Sequence, residues 1–181
     1  VSTDYVFDGL KGTAYDEYDR PNPQAVYGRS KYAGEQHVQQ LMDRYYILRT
    51  SWLYGHHGKN FVETILKAAQ ERPELRVVND QWGCPTWTED LARMLVQIVA
   101  SGRYGLYHVT GQGVCTWFEF ARRIVAAAGL ATPVLPQTTE ELARPAPRPR
   151  YSVLRNRGLE LAGMELLPAW EASLERYLAE R

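Results

Sequence analysis

Cysteine is scarce: the 181 residues hold two, Cys84 and Cys115. Without Cys-x-x-Cys spacing they exclude a disulfide scaffold and a dithiol redox motif, and they read as buried thiols in a reducing compartment. Long apolar runs are missing too, since none reaches the ~18 residues that would span a bilayer. Net charge is absent: Lys+Arg 21 balances Asp+Glu 21. That balance gives no electrostatic reason to expect nucleic acid or an anionic membrane as partner. Only four of the basic residues are lysine, so each lysine is weighed individually. His56 and His57 sit side by side in a glycine loop with no third ligand nearby in sequence, so the expectation is solvated loop residues and no metal site. Magnesium is not indicated by any carboxylate cluster.

Two further absences concern a cofactor. No Gly-x-Gly-x-x-Gly follows a strand-like run; Gly111-Gln112-Gly113 starts the pattern and Val114-Cys115-Thr116 breaks it. The chain also opens without methionine on Val1-Ser2-Thr3-Asp4-Tyr5-Val6-Phe7, a β-branched and aromatic run. A complete protein rarely begins in mid-strand, so the expectation is a remainder with a glycine-rich strand–turn–helix upstream.

What is present is the composition of a globular protein, 45% hydrophobic and 12% aromatic. Strand-like runs at 1–7, 45–51, 75–78 and 104–110 alternate with helical patterns. Asn22-Pro23 suggests a helix start running to about Met42, with Tyr27, Lys31, Gly34, Val38 and Leu41 on one face. Asn60 and Thr88 are candidate helix caps, and Thr116 with Glu119 forms a capping box. Residues 132–150, rich in proline, read as a long loop, followed by short helices near 152–162 and 168–179. Strands alternating with helices predict an α/β fold with a largely parallel sheet. Three or four strands are few for a doubly wound sheet.

The strongest local signal is Tyr27-Gly28-Arg29-Ser30-Lys31. Residues four apart share a helix face. A free phenol ionises near pH 10, and a neighbouring ammonium stabilises its phenolate, making a tunable proton donor and acceptor. As a bare pattern this is weak. Ser2-Thr3-Asp4 adds to it, because it falls at the carboxyl end of the first strand, where open α/β sheets bind ligands.

Ser2-Thr3-Asp4-Tyr5-Val6-Phe7-Asp8-Gly9 followed by Tyr27-Gly28-x-Ser30-Lys31-x-x-Gly34-Glu35 resembles the extended short-chain dehydrogenase/reductases, and within them the dTDP-4-dehydrorhamnose reductase family. Leu48-Arg49-Thr50-Ser51-Trp52-Leu53-Tyr54-Gly55, Asn60-Phe61-Val62 and Asp80-Gln81-Trp82-Gly83-Cys84-Pro85-Thr86 continue the likeness. It persists weakly to Arg148-Pro149-Arg150-Tyr151-Ser152-Val153-Leu154, and so covers nearly the whole chain.

The resemblance implies the later strands of a Rossmann-like doubly wound parallel sheet with a small C-terminal substrate-binding subdomain. Residues 1–110 would be mainly sheet, interleaved with substrate-binding segments, and 111–181 mainly the subdomain. Tyr27 would donate a proton to the C4 carbonyl oxygen of dTDP-4-dehydro-L-rhamnose, and Lys31 would support Tyr27 and bond the nicotinamide ribose. Thr3 would touch the same sugar oxygen, while Asp4 and Trp52 would hold the sugar. Asn60, Gln81, Thr86 and Arg148 would line the nucleotide end. NADPH or NADH would supply hydride, in a cytoplasmic enzyme that could be a homodimer. Without the glycine-rich segment, these residues alone would bind NADPH poorly and turn over no substrate.

Each residue also has a plainer reading: Trp52 as core, Asn60 as a helix cap, Asp80-Gln81 as a turn. Two other functions compete. One is a non-catalytic regulatory subunit like the β subunit of methionine adenosyltransferase, which the joint presence of Thr3, Tyr27 and Lys31 argues against. The other is a sugar-nucleotide epimerase or dehydratase, which the Thr3-Asp4 pair and Trp52 disfavour.

Overall fold

The computed structural model describes residues 1–143 and 145–181. In chain order its first half holds β1 (Ser2–Thr3), a 3-10 turn (Asp4–Val6), α1 (Val26–Leu41), β2 (Tyr46–Thr50), β3 (Leu53–Tyr54), α2 (Phe61–Glu71) and β4 (Leu75–Val78). Then come β5 (Trp82–Gly83), β6 (Thr86–Trp87), α3 (Thr88–Ser101), β7 (Gly105–His108), β8 (Cys115–Thr116) and α4 (Trp117–Ala127). The chain continues through β9 (Val134–Gln137), α5 (Thr139–Leu142), α6 (Arg157–Leu161) and α7 (Trp170–Ala179).

A three-stranded parallel sheet in the order β1-β2-β7 forms the spine. β2 lies in the middle and is buried from Ile47 through Thr50, as an apolar run of this kind requires. Thr3 pairs with Thr50 and Arg49 with His108, so the strand ends line up along one edge. The strand expected over 1–7 stops at Thr3. There the Thr3 hydroxyl accepts from the Tyr5 N–H at 3.2 Å and turns the chain into the 3-10 segment.

Three smaller ladders build the second part: β3 with β6 and β4 with β9, both parallel, and β5 antiparallel to β8. Its core gathers Tyr54, Leu66, Trp87, Phe120, Leu174 and Tyr177. A second cluster, including Leu48, Met94, Ile98 and Leu159, lies against the sheet. Both clusters draw on residues before and after 110, so the two parts interleave along the chain.

Several expected boundaries move. α1 starts at Val26 behind Ala25, whose side chain makes no capping bond. Asn22 is not the cap; its amide donates to Asp8 Oδ2 at 2.9 Å and serves the preceding loop. Thr88 is the first residue of α3 rather than its cap. The 132–150 stretch is not a plain loop: β9 pairs with β4 and Thr138 caps α5 with a full capping box. The expected 152–162 helix shortens to α6, because Tyr151 and Leu154 bridge in extended form to Trp82 and Tyr15. Asn60 caps α2, and Thr116 with Glu119 boxes α4, as expected.

Candidate active site

α1 packs across β1 and the 3-10 turn at the carboxyl edge of the sheet. Gly28 makes that approach possible: a Cβ there would lie 2.1 Å from the Tyr5 carbonyl oxygen. The preceding residue, Tyr27, is 55% exposed and meets the Tyr5 ring edge-on, with centroids 6.0 Å apart. One turn along, Lys31 Nζ donates to the Val1 carbonyl at 2.6 Å. A further turn along, Glu35 is buried and accepts from Arg49 of β2, with Oε2 to Nη2 at 2.6 Å. Arg49 also lies over the Phe7 ring and beside His108. Burial holds the His108 imidazole down at about 3, so the ring is neutral next to the guanidinium. The helix carrying Tyr27 and Lys31 is thus seated by a glycine contact and a buried ion pair.

Thr3 and Asp4 are both buried where β1 ends. The Thr3 hydroxyl donates to Asp4 Oδ1 at 2.9 Å. Burial raises the Asp4 carboxyl from 3.8 to about 6, against hydrogen bonding from Ser152, Thr3 and backbone amides. Among the described residues, Asp4 Oδ2 is buried without a hydrogen-bond partner, and so is the Thr50 hydroxyl beside Thr3 in the ladder.

Trp52 lies between β2 and β3 in a left-handed conformation, φ 48°, a strained geometry for a bulky residue. Its indole stacks on Trp117 with centroids 3.5 Å apart and planes 8° from parallel. Gly83 lies under the same ring, where a Cβ would come within 2.4 Å of Trp52 Cε2. Trp52 is half-buried, so one stacked pair both joins the core and reaches the surface.

The remaining expected residues separate into two groups. Gln81 and Arg148 line a cleft of about 490 Å³ together with Phe61, Trp117, Arg72 and Arg76. Gln81 is buried and donates to Thr139 Oγ1 at 2.9 Å, and Asp80 Oδ1 accepts from the same hydroxyl at 2.6 Å. Thr86 and Asn60 are committed internally. Thr86 is wholly buried and accepts from the Gly111 N–H, and Asn60 caps α2 and donates to the Gly55 carbonyl.

His56 and His57 are exposed loop residues, as expected. His56, Glu89 and Glu180 bring one ligand atom each within 4.8 Å of one another, although no third ligand is near in sequence. Chain folding supplies the carboxylates, from the first turn of α3 and the end of α7. Glu89 is also paired with Arg93, and His56 Nε2 lies 3.9 Å from Glu180. Both cysteines are buried and free, with thiols pushed up by burial. Sequence reasoning did not single out Gly28, the Glu35–Arg49 pair or Trp117. An acid one turn beyond Lys31 and an arginine inside an apolar strand were the available signals.

A parallel sheet with a Tyr-x-x-x-Lys helix across its carboxyl edge places the chain in the class of Rossmann-like α/β proteins. Similarity to the dTDP-glucose 4,6-dehydratase of Bacillus anthracis str. Ames in complex with NAD, TM-score 0.81 at 17% identity, reflects that fold alone. More specifically, the family model described as RmlD substrate binding domain matches residues 1–181, and the chain belongs to that family.

Its relatives include the spore coat polysaccharide biosynthesis protein SpsK of Bacillus subtilis (strain 168), 47% identical over 100% of this chain and 63% of the relative. The dTDP-4-dehydrorhamnose reductase of Streptomyces griseus is 43% identical over 96% of this chain and 60% of its own length. Among solved structures, the dTDP-4-dehydrorhamnose reductase of Bacillus anthracis str. Ames in complex with NADP superposes with a TM-score of 0.97. It is 47% identical and covers 99% of this chain, which in turn covers 64% of it. The chain therefore spans a little over three-fifths of the length of these relatives.

Proposed function

We propose that this chain forms the substrate-binding part of an oxidoreductase that reduces the C4 carbonyl of dTDP-4-dehydro-L-rhamnose to give dTDP-L-rhamnose. The observation that carries the reading is the seating of Tyr27 and Lys31, one turn apart on an accessible helix face, against the turn that follows Thr3. The names of the relatives support the same chemistry.

The donor set fits one end of a nicotinamide dinucleotide. The Lys31 ammonium and Tyr27 hydroxyl suit the ribose beside the nicotinamide, and the NADP complex of the 47% identical neighbour supports NADPH as the form used. A bound dinucleotide supplies the hydride. Tyr27 delivers the proton to the sugar oxygen, and Lys31 holds positive charge beside the phenolate left behind. Thr3 contributes a hydroxyl to the same oxygen, and Trp52 offers the sugar a flat apolar wall.

The nucleotide end is assigned to the cleft that Gln81 and Arg148 line. Phe61 and Trp117 there suit a thymine ring. Arg72, Arg76 and Arg148 suit the diphosphate, for which guanidinium forks are the matching donors. Thr86 and Asn60 act behind this surface by holding its framework.

The test is product analysis with the full-length protein that carries this chain. NADPH should be consumed with the 4-keto sugar nucleotide, and dTDP-L-rhamnose should form in equal amount. Consumption of no cofactor, or an epimerised or dehydrated product, rejects the reading.

A further inference from the structure

We infer that Asp4 sets the direction of the Thr3 hydroxyl, so that Thr3 donates to the substrate's carbonyl oxygen only when Asp4 carries a proton. The inference rests on the proposed reductase reading, which gives Thr3 its target.

A threonine hydroxyl has one proton and two lone pairs. Thr3 Oγ1 lies 2.9 Å from Asp4 Oδ1, so an ionised Asp4 draws the hydroxyl proton to itself, and one lone pair accepts from the Tyr5 N–H at 3.2 Å. What remains toward any further partner is a lone pair. A carbonyl oxygen gaining negative charge during reduction needs donors, and an opposed lone pair repels it. If Asp4 is neutral, its own O–H donates to Thr3 Oγ1 and fills the second lone pair. The Thr3 proton is then released toward the substrate. No covalent bond between heavy atoms changes; one proton on Asp4 redirects one hydrogen bond.

Burial favours the neutral acid and outweighs the hydrogen bonds from Ser152, Thr3 and backbone amides that favour the ionised form. Asp4 is 2% exposed, and among the described residues its Oδ2 has no hydrogen-bond partner. An ionised carboxylate with one oxygen buried and unpaired is costly. Burial moves the carboxyl up to about 6, within reach of ordinary pH.

Among the described residues, the groups that face it from the packed elements are neutral or already paired. The β5–β6 turn brings the Cys84 thiol, held neutral by burial that pushes it to about 11. The 151–154 segment brings the Ser152 hydroxyl, and β2 brings Thr50. On α1, Lys31 is held at the Val1 carbonyl and Glu35 is paired with Arg49. Asp4 is therefore a positioning residue acting through Thr3.

The experiment is the pH profile of kcat for NADPH oxidation by the full-length protein, from about pH 5 to about pH 8. Wild type should slow as pH rises, with a midpoint near the Asp4 value of about 6. The drop should approach about 10²-fold at the top of that range, the lower end of the roughly 10²-fold to 10³-fold weight of one lost donor at a developing oxyanion. Asp4→Asn should lose that limb, because a carboxamide N–H donates to Thr3 without titrating. Thr3→Val should be slow and flat, and adding Asp4→Asn to it should change nothing further.

A wild-type profile without the limb, or the same limb in Asp4→Asn, overturns the inference. If Asp4→Asn does not fold, a limb that persists in Thr3→Val overturns it equally. Full activity in Tyr27→Phe would instead overturn the reductase reading, so the two failures are distinguishable.

Discussion

Glu35 of α1 and Arg49 of β2 form a buried ion pair, with side chains 2% and 3% exposed and Oε2 2.6 Å from Nη2. A second contact joins Arg49 Nε to Glu35 Oε1 at 2.9 Å, so the pair is held in a fork. It fixes the helix of Tyr27 and Lys31 to the central strand. Removing one partner leaves an uncompensated buried charge, at a cost of about 3–5 kcal/mol. Arg49→Met alone should lose that much in urea unfolding. Glu35→Leu with Arg49→Met should recover most of it, since apolar replacement of a buried pair is often tolerated.

Asp4 gives stability a pH dependence with a definite sign. Its folded value of about 6 lies above the ordinary carboxyl value of 3.8. Its contribution is therefore fully present below about pH 4 and is lost as pH rises through 6. His108 has the opposite sign: its folded value of about 3 lies below 6.5, so its contribution is present above 6.5 and lost as pH falls toward 3. Asp4→Asn should raise Tm relative to wild type above pH 6 and leave it unchanged below pH 4, with a plateau of up to about 3 kcal/mol. Thermal unfolding across that range checks it, and a gap that widened toward low pH would contradict it.

Gly83 offers a test of the aromatic wall. A methyl there would lie 2.4 Å from Trp52 Cε2, so the indole must leave its stack on Trp117. Gly83→Ala should weaken the near-ultraviolet circular dichroism of the stacked indoles. KM for the sugar nucleotide should rise several-fold, with a smaller change in kcat, because the lost contact acts in ground state and transition state alike.

The 181 residues by themselves contain no Gly-x-Gly-x-x-Gly turn, and they span 60–64% of the relatives described above. The isolated chain should therefore bind NADPH weakly and leave the 4-keto sugar nucleotide unreduced, whereas a full-length protein should bind NADPH and reduce the sugar. Steady-state NADPH consumption by the two proteins side by side decides it.

Much of this was legible in the sequence. The Tyr27–Lys31 spacing, the Thr3-Asp4 end of β1 and the β2 run are local signals, readable because helix and strand periods are short. The Asn60 cap and the Thr116 box are local too. What escaped depended on long-range contacts. Gly28 looks like a helix-weakening residue until the Tyr5 carbonyl comes within 2.1 Å of its missing Cβ. Trp117 reads as the start of an amphipathic helix, and only the fold brings it onto Trp52, 65 positions earlier in the numbering. Asn22 and Pro23 carry start signals for α1 that lose to tertiary structure, because Asp8 claims the Asn22 side chain. The β9 strand was hidden by its proline, which an edge position opposite Val77 tolerates.

The central claim is that Tyr27 hands the proton to the sugar oxygen. Its most direct test is the single-turnover rate of the full-length protein with NADPH and dTDP-4-dehydro-L-rhamnose, wild type against Tyr27→Phe, with NADPH affinity measured alongside. The expected result is a rate lower by about 10²-fold to 10⁴-fold with NADPH affinity nearly unchanged, as befits loss of a general acid. A Tyr27→Phe protein that reduced the sugar at the wild-type rate would contradict the assignment.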